Sequence, residues 1–182
     1  MSKNTTSLKI ALAVAGLLAA SQSMALSKDE YNSGKDRIKA EYKVDKDACD
    51  ALKNNEKDVC VEQAKGKESI AKAELEHAYT GKESDRIKAL EARADANYAV
   101  AKERCDDQSG NGKDVCVKEA KATHVAAMAD AKAIKKIGQA RKDAAEDKRD
   151  ADYKVAIEKC DALAGDAKSN CVTSAKASFG KS

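Results

Sequence analysis

Large apolar residues are sparse along this chain, and where they occur they recur with a helical period. Ile87, Leu90, Ala94 and Ala101 follow one another at steps of three, four and seven. Ala120, Ala127, Ala131 and Ile134 do the same further on. Such spacing places apolar side chains on one stripe of an α-helix, and nowhere does a period of two suggest a strand. With no Pro anywhere, the pattern predicts helices over 28–52, 56–79, 84–107, 112–137, 139–163 and 167–179. Ser27-Lys28-Asp29-Glu30 is an S-x-x-E capping box that marks the first start.

The stripes are paired. The phrase KDVCVEQAK at Lys57–Lys65 returns as KDVCVKEAK at Lys113–Lys121, and a looser third copy surrounds Cys171. Aligned on Tyr42, Tyr98 and Tyr153, each copy reads helix, Cys, Asp, a short polar stretch, then helix again. The cysteines fall as Cys49/Cys60, Cys105/Cys116 and Cys160/Cys171, each pair eleven apart. Asn55, Asn111 and Asp166 share one aligned position between them, and Asn and Asp are strong N-caps. Each unit therefore reads as an αα-hairpin stapled at its neck by a local disulfide.

An antiparallel pair has facing residues whose numbers share a constant sum. Cys105 and Cys116 fix that register for the middle hairpin, which sets Ala101 against Ala120, Ala94 against Ala127, Leu90 against Ala131 and Ile87 against Ile134. The first hairpin sets Ile38 against Ala71 and Tyr31 against Ala78. Phe179 comes near Tyr153. Every one of these pairs is apolar, as a packed helical seam requires.

The fold class is therefore all-α: elongated antiparallel helical hairpins, a coiled-coil bundle with three stapled hairpins over 28–80, 84–137 and 139–180. Thr80 and Glu83 form a T-x-x-E signal beside Gly81, which allows a break there. Gly138 has no cap residue near it, so the helix can run through. Continuous helices give an elongated shape, the form favoured here, and two breaks give three hairpins side by side. Up-down chain order is expected to alternate the necks between the two ends, separating Cys60 from Cys105.

Composition explains why staples are needed. From Leu26 onward, Leu, Ile, Val and Phe supply only 21 of 157 residues, a share at which many chains stay disordered. Alanine carries helix propensity but little apolar area. Closing an eleven-residue loop contributes about 2.5–3 kcal/mol per disulfide in the chain-entropy account.

The first 25 residues have another character. Lys3 and Lys9 precede the apolar run 10–20, and Ser23-Met24-Ala25 supplies small residues before a cut. This is the order of a secretory signal peptide cleaved after Ala25, and it leaves one domain over 26–182, exported to the periplasm. Without Lys3 and Lys9 the chain holds 32 basic and 31 acidic residues. The charge therefore gives no footprint for nucleic acid, and the finely alternating signs read as solvated helix faces.

Candidate chemistry is thin. His77 and His124 are the two histidines. They read as separate, exposed helix-face residues, with His124 opposite Asn97. CxxC pairs and CxxCH are missing, which argues against zinc and haem; no cofactor motif is present. The recurring tyrosines read as packing over the necks. The reading is a non-enzymatic exported protein, a structural spacer or adaptor of the cell envelope with protein partners there and no membrane span. The alternative is a periplasmic holdase chaperone, which would need more exposed apolar surface.

NGKDVCVKEAK at 111–121 and DADYKVAIEKCDALAGDAK at 150–168 resemble phrases of a family of small exported Ala/Lys/Asp-rich, Cys-repeat proteins of Gram-negative bacteria, some labelled TolA-like cell-envelope proteins. The resemblance spans most of the chain after residue 25. It implies an envelope location and supplies no catalytic residue.

Overall fold

The computed structural model describes residues 26–181, so the expected signal peptide lies outside the described residues. Five α-helices follow in order: α1 Lys28–Ala48, α2 Asn54–Thr80, α3 Glu83–Arg104, α4 Gly110–Asp161 and α5 Gly165–Phe179. Short 3-10 turns at Cys49–Ala51 and Cys105–Asp107 close α1 and α3. The all-α fold with three stapled hairpins is as the sequence predicts. Among the described residues no helix is long and apolar enough to cross a membrane.

The capping box forms in full at the start of α1. Ser27 Oγ accepts from the Glu30 backbone N–H at 3.2 Å, and Glu30 Oε2 accepts from the Ser27 N–H at 2.8 Å. Extensive packing joins only consecutive helices, α1 to α2, α2 to α3, α3 to α4 and α4 to α5. The core is correspondingly thin. It consists of Ile38, Ala64, Ile87, Ala89, Ala94, Ala120, Ala131 and Ala175 together with Cys49, Cys105 and Cys160.

Gly81 and Gly138 behave differently. Gly81 adopts φ +64° and donates its N–H to the His77 carbonyl at 2.8 Å, which ends α2 in a left-handed cap. The expected Thr80–Glu83 capping box is absent. Thr80 Oγ1 instead donates to Asp85 at 2.6 Å and accepts from the Lys82 N–H at 3.2 Å. Gly138 stays right-handed within α4, which runs unbroken for 52 residues. The form favoured from the sequence, continuous through both glycines, therefore holds at Gly138 and is corrected at Gly81, where the helix ends. No capping side chain is present at Gly138 to draw the backbone out of the helix.

Neck placement also differs from expectation. Two hairpins joined by a tight turn carry their necks at the same end. Accordingly, Asn55 of the first neck donates to the Glu103 carbonyl of α3 at 3.0 Å. The third neck lies at the opposite end, because α4 continues past the Gly81 level before it meets α5. Between these regions 139–149 is exposed throughout, a stretch of single helix about 16 Å long at 1.5 Å per residue.

Candidate functional site

The necks are the most strongly constructed feature of the chain. Cys49–Cys60, Cys105–Cys116 and Cys160–Cys171 are all disulfides, each with a Cα–Cα separation of 5.6 Å, well inside the range that a cystine needs. The first cysteine of each pair is almost fully buried, at 0–1 % exposure. Paired cystines of this kind belong to an oxidising, exported environment.

Each neck also carries an ion pair that the sequence reading did not find. The aspartate after the first cysteine meets the lysine three before the second: Asp50–Lys57 at 2.9 Å, Asp106–Lys113 at 3.0 Å and Asp161–Lys168 at 2.9 Å. Lys57 holds the Asp50 carboxyl below its ordinary range. The signal was present as C-D-x6-K-x2-C in all three copies, but an acid and a base seven apart on one helix sit two turns, about 10 Å, from each other, too far to bond. Only the turn between them brings them together.

The turn itself corrects the expected caps. Asn54, Gly110 and Gly165 take φ of 53°, 56° and 57° at aligned positions, the left-handed region that favours Asn and Gly. The second helices thus start one residue before Asn55, Asn111 and Asp166. The preceding residues, Lys53, Ser109 and Ala164, take the N-cap position with no side-chain cap bond. A cap at the expected position would lengthen the turn, and the cystine leaves no slack for that.

Two helical turns from each cystine sits the repeated tyrosine, and its neighbour on the facing helix varies. Tyr98 stacks on His124 with ring centroids 5.0 Å apart, and Tyr153 meets Phe179 edge-on at 6.0 Å. Tyr42 lies in the α1/α2 groove beside Glu68. At the far end of that hairpin Tyr31 stacks on Tyr79 at 4.4 Å and donates its hydroxyl to Glu76 at 2.6 Å. The expected partner, Ala78, is missed by one residue.

The histidines are half-buried, which corrects the expectation of exposed residues. His124 Nε2 lies 2.6 Å from Asp95 Oδ1, and its ring lines the same α3/α4 groove as Asn97. His77 Nδ1 lies 3.1 Å from the Lys82 carbonyl beside the Gly81 turn. The two belong to separate surroundings, and among the described residues no cluster of three or more His, Cys, Asp or Glu is arranged to hold a metal.

Small residues let α2 and α3 approach closely, and Gly66 faces Ala96. Beside that contact an open groove of about 540 Å³ is lined by Gln63, Gly66, Ile70, Ala96, Val100 and Arg104, among others. It shares Asn97 and Ala101 with a smaller groove of about 200 Å³ between α3 and α4, walled by Ala94, Tyr98, Ala120 and His124. The two grooves flank α3. Apolar side chains such as Ile70, Ala96 and Val100 line the larger groove together with Gln63 and Asn97, and Lys67 and Arg104 supply cations. No family model, curated protein or solved structure matches this chain.

Proposed function

We propose that this chain is a non-enzymatic structural or interaction component of the cell envelope, exported to the periplasm with residues 1–25 removed, and acting as a stiff spacer or adaptor. The observation that carries the reading is α4. One unbroken 52-residue helix, about 78 Å long at 1.5 Å per residue, joins a neck at one end to a neck at the other. Each neck is clamped by a cystine and an ion pair. A spacer needs that combination of length and fixed ends, and it explains why cystines stand where a large core would otherwise be required.

Crosslinking in intact cells followed by copurification tests the reading. An adaptor yields the same envelope protein or proteins repeatedly, whereas a chain found in the cytoplasm would refute it. Sequencing of the mature N-terminus should begin at Leu26. The second reading, a holdase, draws on the open groove between α2 and α3, which exposes Ile70, Ala96 and Val100. It is separated by asking whether the purified protein suppresses aggregation of an unfolded client at stoichiometric amounts.

A further inference from the structure

The three cystines share one geometry, with the same 5.6 Å between Cα atoms, but the helices around them are not equally held. The first two necks stand side by side. They are joined by the Asn55–Glu103 hydrogen bond at 3.0 Å, and the hairpins behind them bury Ile38, Ala64, Ile87, Ala94, Ala120 and Ala131. The third neck stands alone. Besides the cystine its hairpin buries one side chain, Ala175, and α5 packs extensively on α4 only. Tyr153 and Phe179 meet edge-on, and the Asp161–Lys168 and Asp150–Lys181 ion pairs are partly exposed. Exposed pairs of this kind add little.

α5 is also a weak helix by itself. It has 15 residues, a length at which an isolated helix is marginal. Ala164 gives it no side-chain cap bond. The Ser169 and Thr173 hydroxyls donate to carbonyls four residues back, at 3.4 and 2.9 Å, and such residues lower helix propensity. The uncovered stretch 139–149 separates this hairpin from the helices packed around α3, so opening at this end does not spread.

A cystine resists reduction to the extent that the fold keeps its two sulfurs together once they are thiols. We propose that Cys160–Cys171 is a redox site: a dithiol reductant opens it ahead of the other two cystines and releases α5, while the helices up to Gly138 stay folded. Cys171 is the sulfur within reach, half-buried where Cys160 is 1 % exposed. A thiolate of the reductant attacks Cys171 Sγ, and Cys160 leaves as a thiolate that takes a proton from water. The second reductant thiol then displaces Cys171, so the reductant ends as a disulfide and the chain gains two electrons and two protons. Release uncovers Tyr153, Ala156 and Ile157, which are half-buried on the part of α4 that meets α5. The site goes beyond the spacer reading and stands whether or not that reading does.

The test equilibrates the mature, disulfide-intact protein with graded ratios of reduced to oxidised dithiothreitol, then alkylates and maps the free thiols. Cys160 and Cys171 should open at a ratio at least about tenfold lower than the other cysteines, the effect of one fewer buried Ile side chain. Hydrogen exchange at that ratio should show amides 150–179 losing protection and amides 28–137 keeping it. Ser169→Ala combined with Thr173→Ala strengthens α5 without touching a sulfur, and it should raise the ratio for the third cystine by about threefold or more. Equal ratios for all three cystines would overturn the proposal, as would a reduced third cystine with α5 still protected. An unchanged ratio in the double variant would refute the coupling of this cystine to α5.

Discussion

Three helical glycines, given the same substitution, should respond in three different ways. A helix-interior Gly→Ala change gains about 0.8–1 kcal/mol from propensity alone. At Gly66 the new Cβ would stand 2.9 Å from the Ala96 Cβ and 3.6 Å from its Cα. A methyl fixed to the backbone cannot rotate away, so α2 and α3 must separate by roughly 0.5–1 Å, and overpacking of this kind costs about 1–3 kcal/mol. The net is a loss of about 1 kcal/mol, or about 2–4 °C in melting temperature for a chain of this size. At Gly34 the Cβ would meet the Leu75 Cδ atoms at 2.8 and 3.0 Å. Those are the free ends of a side chain that can turn, so gain and cost nearly cancel. At Gly138 the nearest atom is Glu83 Cγ at 3.9 Å, and the full propensity gain of about 1 kcal/mol should appear. Urea unfolding with the cystines intact reads all three. Gly66→Ala combined with Ala96→Gly moves the methyl to the other helix and should recover most of the Gly66→Ala loss. If all three single variants stabilise alike, the close approach of α2 and α3 is refuted.

Reductant should lower the melting temperature by well over 10 °C, since each staple contributes about 2.5–3 kcal/mol; low-temperature helicity should fall less, and superimposable circular-dichroism melts would refute this. Salt-bridged or capping carboxyls at Glu30, Asp50, Glu83, Asp85 and Asp150 all have lowered pKa values when folded. Their contribution is present above the ordinary carboxylate pKa near 4 and is lost as the pH falls through the lowered values, so the melting temperature should be flat from about pH 5 to 8 and drop below about 4. Tyr31, raised chiefly by its hydrogen bond to Glu76, should contribute below its ordinary pKa near 10 and lose that contribution above it. In non-reducing peptide maps of oxidative refolding, Cys60–Cys105 should be the transient mispair, because those residues share an end of the molecule, and Cys116–Cys160 should not form; the reverse outcome would refute the neck placement.

The helices, the hairpin register and the cystines were legible in the sequence because each rests on local or repeated information. Eleven-residue spacing repeated three times singles out one pairing, and constant-sum partners such as Ile87 and Ile134 need only the antiparallel rule. What the sequence hid depends on the chain turning. Asp50 and Lys57 are unremarkable as a seven-residue separation, and they meet only because Asn54 goes left-handed between them. Small-to-large exchange was hidden as well. Gly34 packs under Leu75 in the first hairpin, while the equivalent pair in the second is Leu90 and Ala131, with the bulk moved to the other helix. Swaps of this kind preserve the packed volume and are invisible to a test that asks only whether both partners are apolar.

The overall shape turns on two glycines that differ little in sequence context. Gly81 follows Thr80, whose hydroxyl reaches Asp85 of the next helix, and Lys88 then holds the other Asp85 oxygen at 2.8 Å. Asp85 is thereby one of the few buried charges in the chain, 5 % exposed and doubly bonded. A left-handed Gly81 is needed to place Thr80 and Asp85 together, so the turn is stabilised by bonds that a straight helix could not make. Gly138 has no such competitor. Ile137 and Gln139 on either side offer the backbone nothing better than the helix, and the residue that approaches it, Glu83, is engaged by Arg86. The helical bonds therefore win at Gly138 despite glycine's poor propensity. That outcome sends the third neck to the far end and leaves 139–149 without cover.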